Sequence, residues 1–252
     1  GVATILATGG NAMVRAAYSC GKPALGVGAG NVPAYVHKEA KLKQAVNDIV
    51  LSKAFDNGMI CASEQAAIVD KELYDEFVKL MKSHRVHFVT KEEKAKLENL
   101  LFGVEANSEN CAGAKLNSVI VGKPATEIAK LAGFEVPKGT VILAAECSEV
   151  GVKEPLTREK LSPVLAVLKS SSTKDGIEKA RQMVEFNGLG HTAAIHTQNE
   201  EVAEEFGKVV RACRVVWNSP STFGGIGDVY NAFIPSLTLG SVSYTHLTLP
   251  TN

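Results

Sequence analysis

The sequence predicts an α/β fold, and three observations carry that prediction. Short apolar runs such as Val2 to Ala7, Ala66 to Val69 and Val215 to Asn218 alternate along the chain with amphipathic stretches of helical period, the order that builds a sheet covered by helices. A run ending at Thr8 meets Gly9 and Gly10 and then a helical stretch from Asn11 to about Ser19, which is a strand–turn–helix unit. With 252 residues, of which 45% are apolar and 21% charged, the chain can bury a large core as one big domain or two smaller ones.

Composition also excludes classes of function. The 27 basic and 27 acidic residues balance, so nothing electrostatic favours nucleic acid or an anionic membrane as partner. No apolar run reaches the length of about 18 residues that a membrane span requires, and the N-terminus lacks signal-peptide order. Five widely spread cysteines (Cys20, Cys61, Cys111, Cys147, Cys213), without a Cys-x-x-Cys pair, argue against disulfides or zinc and for a cytoplasmic setting, with all but Cys61 expected simply to pack. His84 and His87 lack partners at metal-ligand spacing, so no metal is expected.

In chain order, glycines at the Thr8-Gly9-Gly10 turn would let a phosphate approach the free N–H groups of the following helix. The segment Ala24 to Asn31 is a glycine-rich strand-to-loop passage suited to close backbone approach. A helix over Lys41 to Phe55, with Leu42, Val46, Ile49 and Val50 on one stripe, is stopped by Asp56-Asn57-Gly58, residues that tolerate left-handed backbone. The next residues hold Cys61 on a loop before a strand, the setting of a nucleophilic thiol. Helices follow over Lys71–Lys82, Lys91–Leu101 and Lys123–Ala132. Strands are expected at Ser118–Val121 and Thr140–Leu143, then a helix over Ser172–Asn187, a histidine between glycines and a strand (Gly188 to Ile195), a helix over Glu201–Ala212 and a glycine-rich loop from Ser219 to Asp228.

The string Phe55-Asp56-Asn57-Gly58-Met59-Ile60-Cys61-Ala62-Ser63-Glu64-Gln65 resembles the catalytic-cysteine segment of the CoA-acylating aldehyde dehydrogenases, in particular the aldehyde dehydrogenase part of the bifunctional aldehyde-alcohol dehydrogenases. The resemblance extends from about Gly1 to Gly240. It implies an aldehyde dehydrogenase-like catalytic domain preceded by the last part of a Rossmann-type NAD-binding domain, in a chain that is a fragment lacking an upstream oxyanion-binding asparagine. The boundaries it implies are residues 1–26 for the cofactor domain, 27–228 for the catalytic domain, 229–240 for a returning, oligomerisation segment, and 241–252 for a disordered tail foreign to the family.

The resemblance assigns roles residue by residue. Cys61 is the nucleophile; Thr8, Gly9 and Gly10 form the pyrophosphate turn; Val27 and Gly28 lie beneath the nicotinamide; and Glu159 holds the nicotinamide ribose. His191 lies near the thioester or the CoA thiol, either to take the proton of CoA or to polarise the carbonyl. Ser221, Thr222 and Phe223 shape the acyl pocket. Val27 stands where acid-forming relatives carry a glutamate that activates water, and a valine cannot do so. Glu64 and Glu39 are read as solvated carboxylates rather than substitute bases. The implied activity is NAD-dependent conversion of a small aldehyde such as acetaldehyde, with coenzyme A, to an acyl-CoA, reversibly, as in fermentation to ethanol. The implied partners are aldehyde, NAD, coenzyme A and further copies of the chain, in an oligomer or filament. Two alternatives stand beside it: a hydrolytic aldehyde dehydrogenase, and an inactive piece with an assembly role.

Overall fold

A computed structural model describes residues 2–103, 115–229 and 231–236. The first unit is small. Strand β1 (Ile5–Thr8) turns through two glycines into helix α1 (Asn11–Tyr18) and returns as β2 (Ala24–Val27), and the two strands pair in parallel with Thr8 opposite Val27.

The second unit is a seven-stranded sheet. Its strands are β3 (Val32–Val36), β4 (Glu64–Asp70), β5 (Val86–Phe88), β6 (Ile142–Cys147), β7 (Val164–Ser170), β8 (Gly190–His196) and β9 (Ala212–Trp217). They lie in the order β5-β6-β7-β4-β3-β8-β9, and every pairing is parallel. Parallel strands need crossovers, and helices supply them on both faces. The strands are therefore apolar on both sides. Ala66 and Ile68 of β4 join one core with residues of α4 (Lys91–Phe102), α5 (Ala125–Ala132), α6 (Thr173–Asn187) and α7 (Glu200–Val209). Ala67 and Val69 of the same strand join the other, against α2 (Leu42–Ala54) and α3 (Tyr74–Ser83).

Local chemistry sets the helix ends. Thr90 and Glu93 form a reciprocal capping box at α4, and Ser172 and Asn199 cap α6 and α7 through their side chains. Gly103 and Gly133 close α4 and α5 in left-handed backbone.

Three sequence expectations are corrected. Residues Ser118–Ile120 form a single 3-10 turn rather than a strand, because the Asn117 side chain accepts the Val119 N–H (3.1 Å) and bends the backbone. The strand expected over Thr140–Leu143 begins at Ile142 and runs to Cys147, since Thr140 is held in a turn through its N–H and hydroxyl on the Pro137 carbonyl. The loop expected over Ser219–Asp228 contains a short helix, α8 (Ser221–Ile226). Residues 241–252, with their expected disorder, lie outside the described residues, as does Cys111. No described helix is long and apolar enough to cross a membrane.

Candidate active site

Because the strands are parallel, the segments entering β3, β4, β7 and β8 gather at one edge of the sheet. These are Gly28–Asn31, Cys61–Ser63, Glu159–Pro163 and Gly188–His191. The glycine passage, the cysteine turn, the carboxylate and the histidine are thus neighbours in space.

The cysteine turn is held by its own backbone. Asp56, Asn57 and Gly58 all have positive φ (48°, 49° and 67°) and abruptly end the run of α2. A Cβ on Gly58 would stand 2.5 Å from the Ser162 carbonyl oxygen, so only glycine allows this turn to pack on the entry to β7. The Asn57 amide donates to the Gly122 carbonyl (2.9 Å), and the Ser63 N–H closes a turn onto Ile60 (2.9 Å) around Cys61. The backbone N–H groups of Cys61 and Ala62 favour the thiolate. Burial, with the Glu159 carboxylate second, pushes the thiol up to about 11, against the pull of those amides and of Arg214.

Gly30 is the meeting point. A Cβ there would stand 2.6 Å from the Cys61 carbonyl oxygen and 3.1 Å from Cγ and Nδ1 of His191, and the Gly30 N–H donates to Glu159 Oε1 (2.9 Å). Cys61, His191 and Glu159 are therefore assembled around a glycine that the sequence reading did not single out. Asn31, beside it and fully buried, anchors this floor by donating to the carbonyls of Thr157 (2.9 Å) and Met183 (2.8 Å). Burial raises Glu159 to about 7, partly offset by the Gly30 N–H, Lys53 and Lys160. His191 is lowered to about 4 by burial and by the neighbouring Arg214 cation, so its imidazole is neutral at neutral pH.

Glu64 corrects an expectation. It is fully buried rather than solvated, accepting from the Ser221 N–H (3.0 Å) and from Ser52 Oγ (2.5 Å), and thereby closing the start of α8 against α2. Ser52 Oγ in turn accepts the Thr222 N–H (2.9 Å). Ser221, Thr222 and Phe223 are likewise buried, with Phe223 edge-on to Phe55 at 5.2 Å. Lys53 lies close by with no accessible surface. It feels the charges of both Glu64 and Glu159 and is lowered to about 7 by burial. Lys160, equally buried, donates to the carbonyls of Gln65, Leu156 and Arg158 (3.0, 2.6 and 2.7 Å).

On the cofactor side, the Gly9 N–H bonds the Val27 carbonyl (3.0 Å), which joins the Thr8-Gly9-Gly10 turn to the buried Val27 and its neighbour Gly28. Gly10 caps α1 in extended backbone with no side chain bonded there, and a Cβ on it would meet nothing within 4 Å. That turn fits a pyrophosphate, and Glu159 fits a pair of sugar hydroxyls. Of the other thiols, Cys147 is buried and raised by burial, whereas Cys20 and Cys213 are exposed rather than packed. Among the described residues no cluster of metal-ligating side chains occurs.

The doubly wound α/β domain thus sets a thiol on a turn between a glycine passage and a buried histidine. The chain belongs to the aldehyde dehydrogenase family, whose profile matches residues 1–228. It is 76% identical over 244 residues to an aldehyde-alcohol dehydrogenase of Streptococcus pneumoniae serotype 4, covering 97% of this chain and 28% of that protein. An acetylating aldehyde dehydrogenase from Geobacillus thermoglucosidasius superposes with a TM-score of 0.86 at 44% identity, over 94% of this chain and 50% of that one. A propionaldehyde dehydrogenase from Rhodopseudomonas palustris, solved with bound CoA and an acylated cysteine, has a TM-score of 0.77 at 26% identity, over 96% and 54%. An engineered glycolyl-CoA reductase with bound NADP+ has a TM-score of 0.79 at 26% identity, likewise over 96% and 54%. The chain thus spans about a quarter of the bifunctional relatives and about half of the single-function ones.

Proposed function

We propose that this chain carries the acyl-transfer centre of an NAD-dependent, CoA-acylating aldehyde dehydrogenase. The observation that carries the reading is the convergence of Cys61, His191 and Glu159 on Gly30. The Cys61 thiolate adds to the carbonyl carbon of a small aldehyde, and the alkoxide formed is met by the Cys61 and Ala62 amides. NAD, held by Thr8, Gly9, Gly10, Val27, Gly28 and Glu159, would supply the hydride acceptor that turns this carbon into a thioester on Cys61. The CoA thiolate then attacks the thioester, and Cys61 departs as thiolate. A thiol serves both halves, as a good nucleophile and a good leaving group.

Val27, buried at the position where acid-forming relatives carry their base, leaves this part of the floor unable to activate water, which supports capture by CoA over hydrolysis. Thr8, Gly9, Gly10, Val27, Gly28 and Glu159 are proposed to hold NAD. Ser221, Thr222 and Phe223 are proposed to bound the acyl pocket from behind, through α8. The proposed division is 1–26 for the cofactor part, 27–228 for the catalytic part and 229–240 for a returning segment that joins copies of the chain.

The test is intact mass after brief exposure to acetyl-CoA, comparing the chain with Cys61→Ala. An acetyl adduct that disappears only with Cys61 is expected. Absence of the adduct, with alkylation spread evenly over the five thiols, would overturn the reading and leave an assembly role. In the longer protein, aldehyde-driven NAD reduction that requires CoA is expected; reduction without CoA would mean the hydrolytic reaction.

A further inference from the structure

Lys160 directly follows Glu159 at the entry to β7, and it has no accessible surface. A buried lysine needs an acceptor for every proton it keeps. Its Nζ lies 3.0 Å from the Gln65 carbonyl oxygen, 2.6 Å from that of Leu156 and 2.7 Å from that of Arg158. A carbonyl oxygen can only accept, and a neutral amine has two N–H bonds to give, whereas an ammonium has three. Three acceptors at this range match the ammonium proton for proton; a neutral amine would turn its lone pair on one of them. Burial and then the Lys53 charge draw the group well below the ordinary lysine pKa, while Cys147 and Glu159 pull the other way. The three carbonyls add to that second pull by bonding only the charged form in full.

The bonds of this residue join two segments of the site. Its backbone N–H donates to Gln65 Oε1 (3.0 Å), so main chain and side chain together grip Gln65, the second residue of β4 and close behind Cys61 in the chain. Leu156 and Arg158 lie just before Glu159, and their carbonyls are drawn onto the same ammonium. Glu159 is thus clamped from both neighbours in sequence, and its Oε1 takes the Gly30 N–H (2.9 Å) where Gly30 meets the Cys61 carbonyl. We infer that Lys160 is a positioning residue: its ammonium, seated on three backbone carbonyls, fixes the Glu159 carboxylate against Gly30 and beside Cys61. The inference rests on the acyl-transfer reading, in which Glu159 holds the nicotinamide ribose, and it adds how that carboxylate is kept in place. The Lys160 charge also acts on Glu159 directly. Burial raises the Glu159 carboxyl to about 7, and the Gly30 N–H, Lys53 and Lys160 each pull it back.

The test is nuclear magnetic resonance of the whole chain, with ¹⁵N-labelled lysine to read Lys160 and ¹³C-labelled glutamate to read Glu159. The Lys160 signal is assigned by its loss in Lys160→Met or by its contacts to Leu156 and Arg158, and the Glu159 signal by its loss in Glu159→Gln. An ammonium-type Nζ shift at neutral pH, with slowly exchanging protons, is expected; an amine-type shift would overturn the inference. In Lys160→Met the Glu159 carboxyl should titrate higher than in the parent chain, by up to about one unit, because a positive charge that favours the carboxylate is gone. A folded Lys160→Met chain in which Glu159 titrates as in the parent would overturn the positioning role, whatever its loss of stability in urea. Lys160→Arg keeps a charge but offers a planar fork in place of three tetrahedral donors, so the Gly30 amide signal, which reports its bond to Glu159, should shift. An unmoved Gly30 signal in that variant would likewise count against the inference. The Nζ reading needs no variant, and none of the readouts needs turnover. An ammonium at Lys160 that holds Glu159, with no acetyl adduct on Cys61, removes the acyl-transfer role alone; an adduct with an amine at Lys160 removes the inference alone.

Discussion

The seven-stranded sheet buries polar clusters at both ends, and they are built to opposite standards. At the C-terminal ends of the strands, Asp70 accepts from Tyr35 Oη (2.9 Å), Ser170 Oγ (2.6 Å) and the Lys38 N–H (2.8 Å), while the two nitrogens of His37 meet Thr197 (3.0 Å) and Thr173 (3.1 Å). This network ties β3, β4, β7 and the segment after β8 together; His196 Nε2 is its exception, buried without a partner among the described residues. At the N-terminal ends the balance reverses. Lys53 Nζ, His191 Nε2, Asn31 Oδ1, Ser63 Oγ and Ser162 Oγ are buried without such partners, and Lys53, Glu64 and Glu159 share one low-dielectric space. Satisfied polar groups make a scaffold; groups held away from their preferred partners or charge states mark the end where we propose the site.

Substitutions can break this contrast, and the largest effect is expected at Gly58. Gly58→Ala must adopt positive φ and also push its Cβ into the Ser162 carbonyl, so it should cost about 3 kcal/mol or more in urea denaturation. It should also abolish preferential alkylation of Cys61 over the other thiols.

Lys53→Met follows. It removes the positive charge that lowers both Glu64 and Glu159, so both carboxyls should rise above their present values of about 7, read from the pH dependence of urea denaturation. The double variant Lys53→Met/Glu64→Gln should lose the part of that shift due to Glu64. A double variant with the same pH dependence as the single one would mean that the Lys53 charge does not act on Glu64.

At the opposite end, Asp70→Asn turns an amide N–H₂ toward donors that now meet a carboxylate, at a cost of about 2 kcal/mol. The pH profile of Cys61 alkylation should not move. If it did, the two ends of the sheet would not be independent.

Much of the fold was legible in the sequence, because strands buried on both faces read as short apolar runs and the helices between them keep their stripes. The turn that carries Cys61 was legible through the left-handed triplet before it, and the strand entries that carry His191 and Glu159 through the glycines and apolar runs beside them. Lys53 carried a signal that went unread: it continues the apolar stripe of Val46, Ile49 and Val50 by helical spacing, where a solvated lysine would not stand. Glu64 was misread because a carboxylate after a loop looks solvated until α8 is folded over it. Gly30 was out of reach, since its meaning lies in a close approach between distant segments.

The smallest change probes the reactive end alone. Glu159→Gln keeps an oxygen to accept the Gly30 N–H, so the floor and the fold should hold, but it removes the carboxylate charge that raises the Cys61 thiol. The sign follows from the thiolate being the charged form: taking away a nearby negative charge favours it and lowers the thiol from about 11. Below that pKa each unit of fall multiplies the thiolate fraction about tenfold, and one charge at this range is worth up to about one unit, so alkylation of Cys61 at about pH 8 should rise roughly threefold to tenfold. The rise should vanish at low pH, where Glu159 itself, raised to about 7, is already protonated in the parent chain. An unchanged rate at both pH values would place the Glu159 charge too far from Cys61 to matter, and would leave burial alone as the reason the thiol is held in reserve.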